Sequence, residues 1–219
     1  MEKNSLPVEI GEIFAKLQSD IVWLHGRWII FNQLYGESAE RVQLLNDSAA
    51  TYFRITQDVL LDDILISIGR ITDKPIMGSN ENLSLGQLIN RLDKDKYPDI
   101  ISLLEGKLEN IQLLSKDIRQ IRNKKLAHKD INIALAKVEL LPRVTIKSIS
   151  TTLEAIRDFM NECEGYFCDS EMAYEAFSMS ADGKVLVTKL KKAIAYDQLE
   201  KEKLFEFGYW RRKSRFKNA

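Results

Sequence analysis

Apolar residues recur every three or four positions along most of the chain, the spacing of helices that each bury one face. Ile10, Phe14 and Leu17 mark a short amphipathic lead-in within residues 1–20, with Pro7 near its start. Residues 21–35 are unusually aromatic, carrying Trp23, Trp28, Phe31 and Tyr35. The last three share a helical face and read as core or dimer surface in preference to a base-stacking platform; His25, alone among them, reads as structural. Ser38 is placed as an N-cap, with Arg41 where a capping box would put Glu. A long helical pattern then runs over residues 38–73 through Val42, Leu45, Tyr52, Ile55, Val59, Ile64, Ile66 and Ile71.

The Gly-Ser-Asn character of residues 77–82 predicts a loop, and Ser84 caps a short helix over 85–93. Pro98 suits the first position of a helix spanning 98–114, which continues or kinks at Ser115 into a helix over 115–129. Asp130-Ile-Asn ends that helix, residues 131–144 read as irregular, and Ile149, Leu153, Ile156, Met160 and Cys163 define a helix over 146–167. Farther on, Ala181-Asp-Gly-Lys184 suits either a hairpin turn or a helix start; Leu186, Leu190 and Ile194 favour a helix over 183–206. Short connections and one-sided faces predict an all-α helical bundle. The reading divides it into a bundle over 1–170 and a C-terminal helical extension with a basic tail over 171–219.

Composition narrows the function. The 219 residues hold 32 Lys and Arg against 32 Asp and Glu, so bulk charge does not draw the chain to nucleic acid. Local charge does. Residues 116–129 carry six cations against Asp117 alone, a local +5, and the last eleven residues carry five cations and no acid. That ending also holds Tyr209, Trp210 and Phe216, a mixture that binds single strands in some proteins and is a solvated tail in more. Only Cys163 and Cys168 are present, without metal-ligand spacing, so no metal or cofactor is expected and free thiols in a reducing cytosol are. No signal peptide or membrane span is expected, which makes the cytoplasm the predicted compartment.

The densest chemistry lies in residues 117–130. Ile111, Leu114, Ile118 and Ile121 form an apolar stripe, and His128, seven residues beyond Ile121, lies within about 20° of it on an ideal wheel. Arg119, Arg122, Lys125 and Lys129 form a basic edge beside that stripe. Upstream, Asp63 and Arg70 share a face. With Asp62 and Asp73 they read either as salt bridges within the bundle or, for Arg70 and Asp73, as the border of a cleft against the 122–128 helix.

The string Arg122-Asn123-Lys-Lys-Leu-Ala-His128 resembles the motif of the HEPN superfamily (higher eukaryotes and prokaryotes nucleotide-binding domains), an Arg and a polar residue followed by His after four to six intervening residues. Together with Ile66-Ser-Ile-Gly-Arg-Ile-Thr-Asp-Lys74 and Asn82-Leu-Ser-Leu-Gly-Gln-Leu-Ile89, it is most similar to the abortive-infection, AbiU-type branch, over roughly residues 40–170. The resemblance implies a HEPN-like bundle with additional N- and C-terminal helices. It also implies a homodimer whose facing Arg/His sets line one cleft, and a metal-independent endoribonuclease acting as a toxin or in antiphage defence. His128 would then be general acid and base, Arg122 the stabiliser of the charged transition state and Asn123 the orienting group. Arg119, Lys124, Lys125 and Lys129 would hold RNA, with an antitoxin or partner protein as a further partner. Where some relatives carry a Tyr that a partner nucleotidyltransferase modifies, this chain has Asp130, so that route of regulation is not expected. Three competing readings stay open: a buried polar network of Arg122, Asn123 and His128 that only joins helices, a non-catalytic RNA- or protein-binding module, and a helical dimerisation scaffold.

Overall fold

The computed structural model describes residues 5–127, 142–177, 180–209, 212 and 214, without the side chains of residues 125–127. The protein is all-α. Seven α-helices occur among the described residues, in chain order α1 (Val8–Phe31), α2 (Ala39–Ile71), α3 (Leu85–Arg91), α4 (Pro98–Leu114), α5 (Lys116–Ile121), α6 (Ile146–Cys168) and α7 (Gly183–Lys201). The only strands described are the two-residue pair β1 (Ile76–Met77) and β2 (Asn80–Glu81), joined at Gly78, whose φ of 62° suits a residue without a Cβ. This ladder replaces the loop expected over 77–82. No helix among the described residues is long and apolar enough to cross a membrane.

The chain divides into two compact units, each discontinuous in sequence. One comprises residues 1–29 and 58–178, the other 30–57 and 179–219. In the first, the expected lead-in and the aromatic stretch form a single helix, because their apolar residues stay in phase. Ile10, Phe14, Leu17, Ile21, Leu24 and Trp28 follow one another at alternating steps of four and three, and all are buried. Trp28 also donates its indole N–H to Ser150 Oγ at 3.2 Å. The main helix pair is α4 against α6, and α4 buries Ile100, Ile101, Leu104 and Ile111. Helix α6 opens with a reciprocal capping box: the Ser148 N–H donates to Thr145 Oγ1, and the Thr145 N–H to Ser148 Oγ.

His25 is buried on α1 with its ring 5.8 Å from that of Tyr174, and its Nε2 has no hydrogen-bond partner among the described residues. Burial pushes its pKa down to about 4; Glu175 pulls weakly upward and Arg157 downward. The folded state therefore holds His25 neutral where the unfolded chain, with a pKa near 6.5, begins to protonate it. This contribution to stability is complete above pH 6.5 and is lost as the pH falls towards 4, amounting to roughly 3 kcal/mol. Thermal melts of wild type and His25→Phe across that range test it. The melting temperature of the wild type should fall more steeply with acid than that of the variant; parallel curves would show that His25 does not carry the acid sensitivity.

The second unit answers the question left open at residues 181–184. Asp182 caps α7 by accepting from the Val185 N–H at 3.0 Å, and that bond holds its carboxyl below the usual carboxylate range. Gln33 Nε2 donates to Asp182 Oδ2 at 2.8 Å, while Gln33 Oε1 accepts from the Gly183 N–H at 2.8 Å. A Cβ on Gly183 would come within 2.9 Å of that oxygen, so the glycine serves close approach at a helix start and not a hairpin turn. Gln33 belongs to a π-helical turn, Asn32–Gly36. Leu34, Leu45, Phe53 and Val187 form the small core of this unit. The capping role of Ser38 is seen in the bond from the Arg41 N–H at 3.2 Å, while the Arg41 guanidinium turns to Glu37 and the Gln33 carbonyl. Two expectations change. Helix α2 is interrupted at Ala49 (φ −164°, ψ 73°), just after Ser48 turns its hydroxyl onto the Leu44 carbonyl at 2.7 Å. Helix α7 stops at Lys201 and not near 206, with Lys203 in the left-handed region at φ 62°.

Candidate nucleic-acid interface

The site is built where the end of α2 meets α5. Ile118 is buried and seats α5, whose polar side carries Lys116 and Arg119 outward. At Arg122 the winding changes: residues Arg122–Ala127 form a π-helical turn, closing one residue later than an α-helix does. A π-turn advances the chain around the axis by a different angle per residue, so the α-helical wheel used above from Ile121 to His128 does not apply across it. His128 and Lys129 themselves, and the Lys125 side chain, lie outside the described residues.

Arg122 is half-buried and held from three sides. Its Nη1 donates to Asp73 Oδ2 at 2.6 Å, a charge-assisted bond between residues 49 apart. Its Nε donates to Asn123 Oδ1 at 2.9 Å. Its aliphatic stem lies across α2 at Gly69, where a Cβ would fall 2.5 Å from Arg122 Cδ and 3.0 Å from both Nε and Nη1. Glycine inside a helix costs about 1 kcal/mol relative to alanine, and the close approach of Arg122 gives a physical reason for it here. The Nη2 makes no hydrogen bond among the described residues, so one edge of the planar fork is left to meet an anion.

Arg122 lines a groove of about 800 Å³. Asp73, Lys74, Lys116, Arg119, Arg122, Asn123 and Lys124 line it, with Ile76 and Met77 of β1 giving an apolar wall. Five cations thus face one carboxylate, which is already engaged by Arg122. Arg119 donates to the Gln112 carbonyl at 3.2 Å. Lys74, Lys116 and Lys124 form no ion pair among the described residues. A surplus of unpaired cations around an oriented guanidinium is suited to a run of phosphates.

Of the candidate residues, the structure brings Arg119, Arg122, Asn123, Lys124 and Asp73 to one groove. Arg70 is exposed and lines a neighbouring cavity instead, sharing only Asp73 with the groove. Asp63 pairs with Arg27, Oδ2 to Nε at 2.8 Å, and not with Arg70 on its own helix face. Gly69, Lys74 and Lys116 belong to the site without having been singled out for it. For Gly69 the available signal was a glycine within a strong helical pattern.

A family model described as AbiU2 matches residues 7–185. No curated protein and no solved structure matches the chain. The matched span takes in every helix from α1 to α6, the beginning of α7, and the whole groove around Arg122. The chain belongs to the AbiU2 family, a HEPN-type family related to abortive infection.

Proposed function

We propose that the protein is a metal-independent endoribonuclease of antiphage defence, acting at the groove around Arg122 as a homodimer. The observation that carries this reading is the fixed guanidinium of Arg122, held by Asp73, Asn123 and Gly69, beside Lys74, Lys116 and Lys124, which form no ion pair among the described residues. Cleavage begins when a base takes the proton of a ribose 2′-hydroxyl. The 2′-oxygen then attacks phosphorus and the 5′-oxygen leaves with a proton from an acid, yielding a 2′,3′-cyclic phosphate and a 5′-hydroxyl. Histidine suits both proton transfers because its pKa is near neutrality, and His128 is assigned them. Arg122 is assigned the charge that builds on the phosphorane, since the arginine fork donates to phosphate oxygens and keeps its charge at every working pH. Two copies supply two such sets to one cleft. Lys116, Arg119, Lys124, Lys125 and Lys129 hold the flanking backbone.

The test compares wild type with an Arg122→Ala/His128→Ala double variant on mixed RNA in EDTA, after both are shown to elute as dimers. Wild type is expected to produce cyclic-phosphate ends and the double variant none. Cleavage by both would remove the chemistry from this groove. Salt-sensitive RNA binding without cleavage by either would identify a binding module.

A further inference from the structure

Beside the groove lies a second cavity of about 450 Å³, which meets the groove at Asp73. Its wall includes Asp20, Trp23 and Arg27 of α1, Asp63 and Arg70 of α2, and Asp73 and Leu83. Trp23 is 59% exposed and lies outside the buried apolar stripe of α1. It is also braced. The Phe177 ring sits 5.3 Å from Trp23 at an interplanar angle of 55°, and reaches that place because Gly26 leaves room: a Cβ there would lie 3.0 Å from the ring.

The polar groups around the indole are arranged for a ligand with both a flat face and a charge. Arg27 is occupied by Asp63 and by Ser67, to whose Oγ it donates at 3.2 Å. Arg70 is exposed and forms no ion pair among the described residues. The carboxylates of Asp63 and Asp73 each spend one oxygen on an arginine, leaving the other as an acceptor for N–H groups. A braced aromatic face, an exposed arginine without an ion pair among the described residues, and carboxylate acceptors fit one nucleotide, whose base stacks while its phosphate meets Arg70.

We infer that this cavity is a base-binding subsite for an unpaired nucleotide of single-stranded RNA whose backbone lies in the Arg122 groove. The inference rests on the reading of that groove as an RNA site and adds that the substrate is single-stranded at this point. A base inside a duplex has its faces stacked and its pairing edge occupied, so duplex RNA cannot fill the cavity. Stacking on one aromatic side chain contributes a factor of roughly 5 to 150 in affinity.

The experiment measures binding of fluorescein-labelled 2′-O-methyl RNA, single-stranded and duplex, to full-length wild type, Trp23→Ala, Trp23→Phe and Arg70→Ala. The 2′-O-methyl group blocks cleavage, so affinity is read alone. Expected are tighter binding of single strands than of duplex, a loss of at least fivefold in Trp23→Ala, near-complete retention in Trp23→Phe, and a shallower salt dependence in Arg70→Ala. Equal single-strand affinity in wild type and Trp23→Ala overturns the subsite. So does dissociation of dimers in Trp23→Ala with RNA affinity retained, which would assign the indole to an interface. Cleavage of ordinary RNA, run in parallel, separates the two proposals. Cleavage lost in Arg122→Ala but unchanged in Trp23→Ala leaves the nuclease standing without the subsite. Trp23-dependent binding with no cleavage by wild type leaves the subsite standing without the nuclease.

Discussion

Arg122→Lys is expected to slow RNA cleavage by about 10²–10³-fold, the range for removing one oriented donor from a developing oxyanion. The charge is preserved, so a site that needed only a cation would keep its rate. Arg122, however, uses its fork in parts: Nη1 on Asp73, Nε on Asn123, and Nη2 without a hydrogen bond among the described residues. A lysine ammonium is a point charge with no planar fork, and a lysine drawn to Asp73 has nothing left at a defined angle for phosphate. The fold should tolerate the change, since the ion pair is partly solvent-accessible and such pairs contribute on the order of 1 kcal/mol or less. Single-turnover cleavage beside a thermal melt reads both effects. A wild-type rate in Arg122→Lys would show that orientation at this position is immaterial and would remove Arg122 from the chemistry.

Gly69→Ala is expected to separate activity from stability. Alanine in a helix interior gains about 1 kcal/mol over glycine, and the atoms its methyl would strike belong to the flexible side chain of Arg122 and not to backbone. The side chain can swing aside at little cost, so the melting temperature should hold or rise slightly. The displaced guanidinium loses its place over α2 and its alignment with Asp73, and cleavage should fall at least tenfold, because small misplacements at a reacting centre are expensive in rate. In the Arg122→Lys background the same substitution should add little, since both changes act through one group. A Gly69→Ala protein that melts and cleaves like wild type would show that the close approach is incidental.

Much of the fold was legible in the chain because helix periodicity is a local property. The side on which Ile149, Leu153, Ile156, Met160 and Cys163 fall depends only on residue spacing, and all five are buried. The same holds for Pro98 at the head of α4 and for Ser38 capping α2. Arg122 and Asn123 stood out as candidates because a basic cluster beside an apolar stripe is visible in one stretch of sequence. Less was legible wherever a residue answers to a partner distant in the chain. Asp63 shares a helix face with Arg70, yet it pairs with Arg27, because α1 brings a second guanidinium within 2.8 Å. Gln33 gives no hint that it will bond both Asp182 and Gly183, which start a helix 150 residues later.

The sequence by itself determined that the protein is helical, which faces are apolar, and where cations gather. Only the tertiary structure decided that Asp73 and Gly69 would shape the setting of Arg122 and that residues 30–57 would join 179–219 in one unit. The reason is the range of the interactions. Helix winding and caps are set within about one turn of chain, whereas the partner of a charge, or the need for a missing Cβ, is set by whichever surface the packing of helices brings opposite.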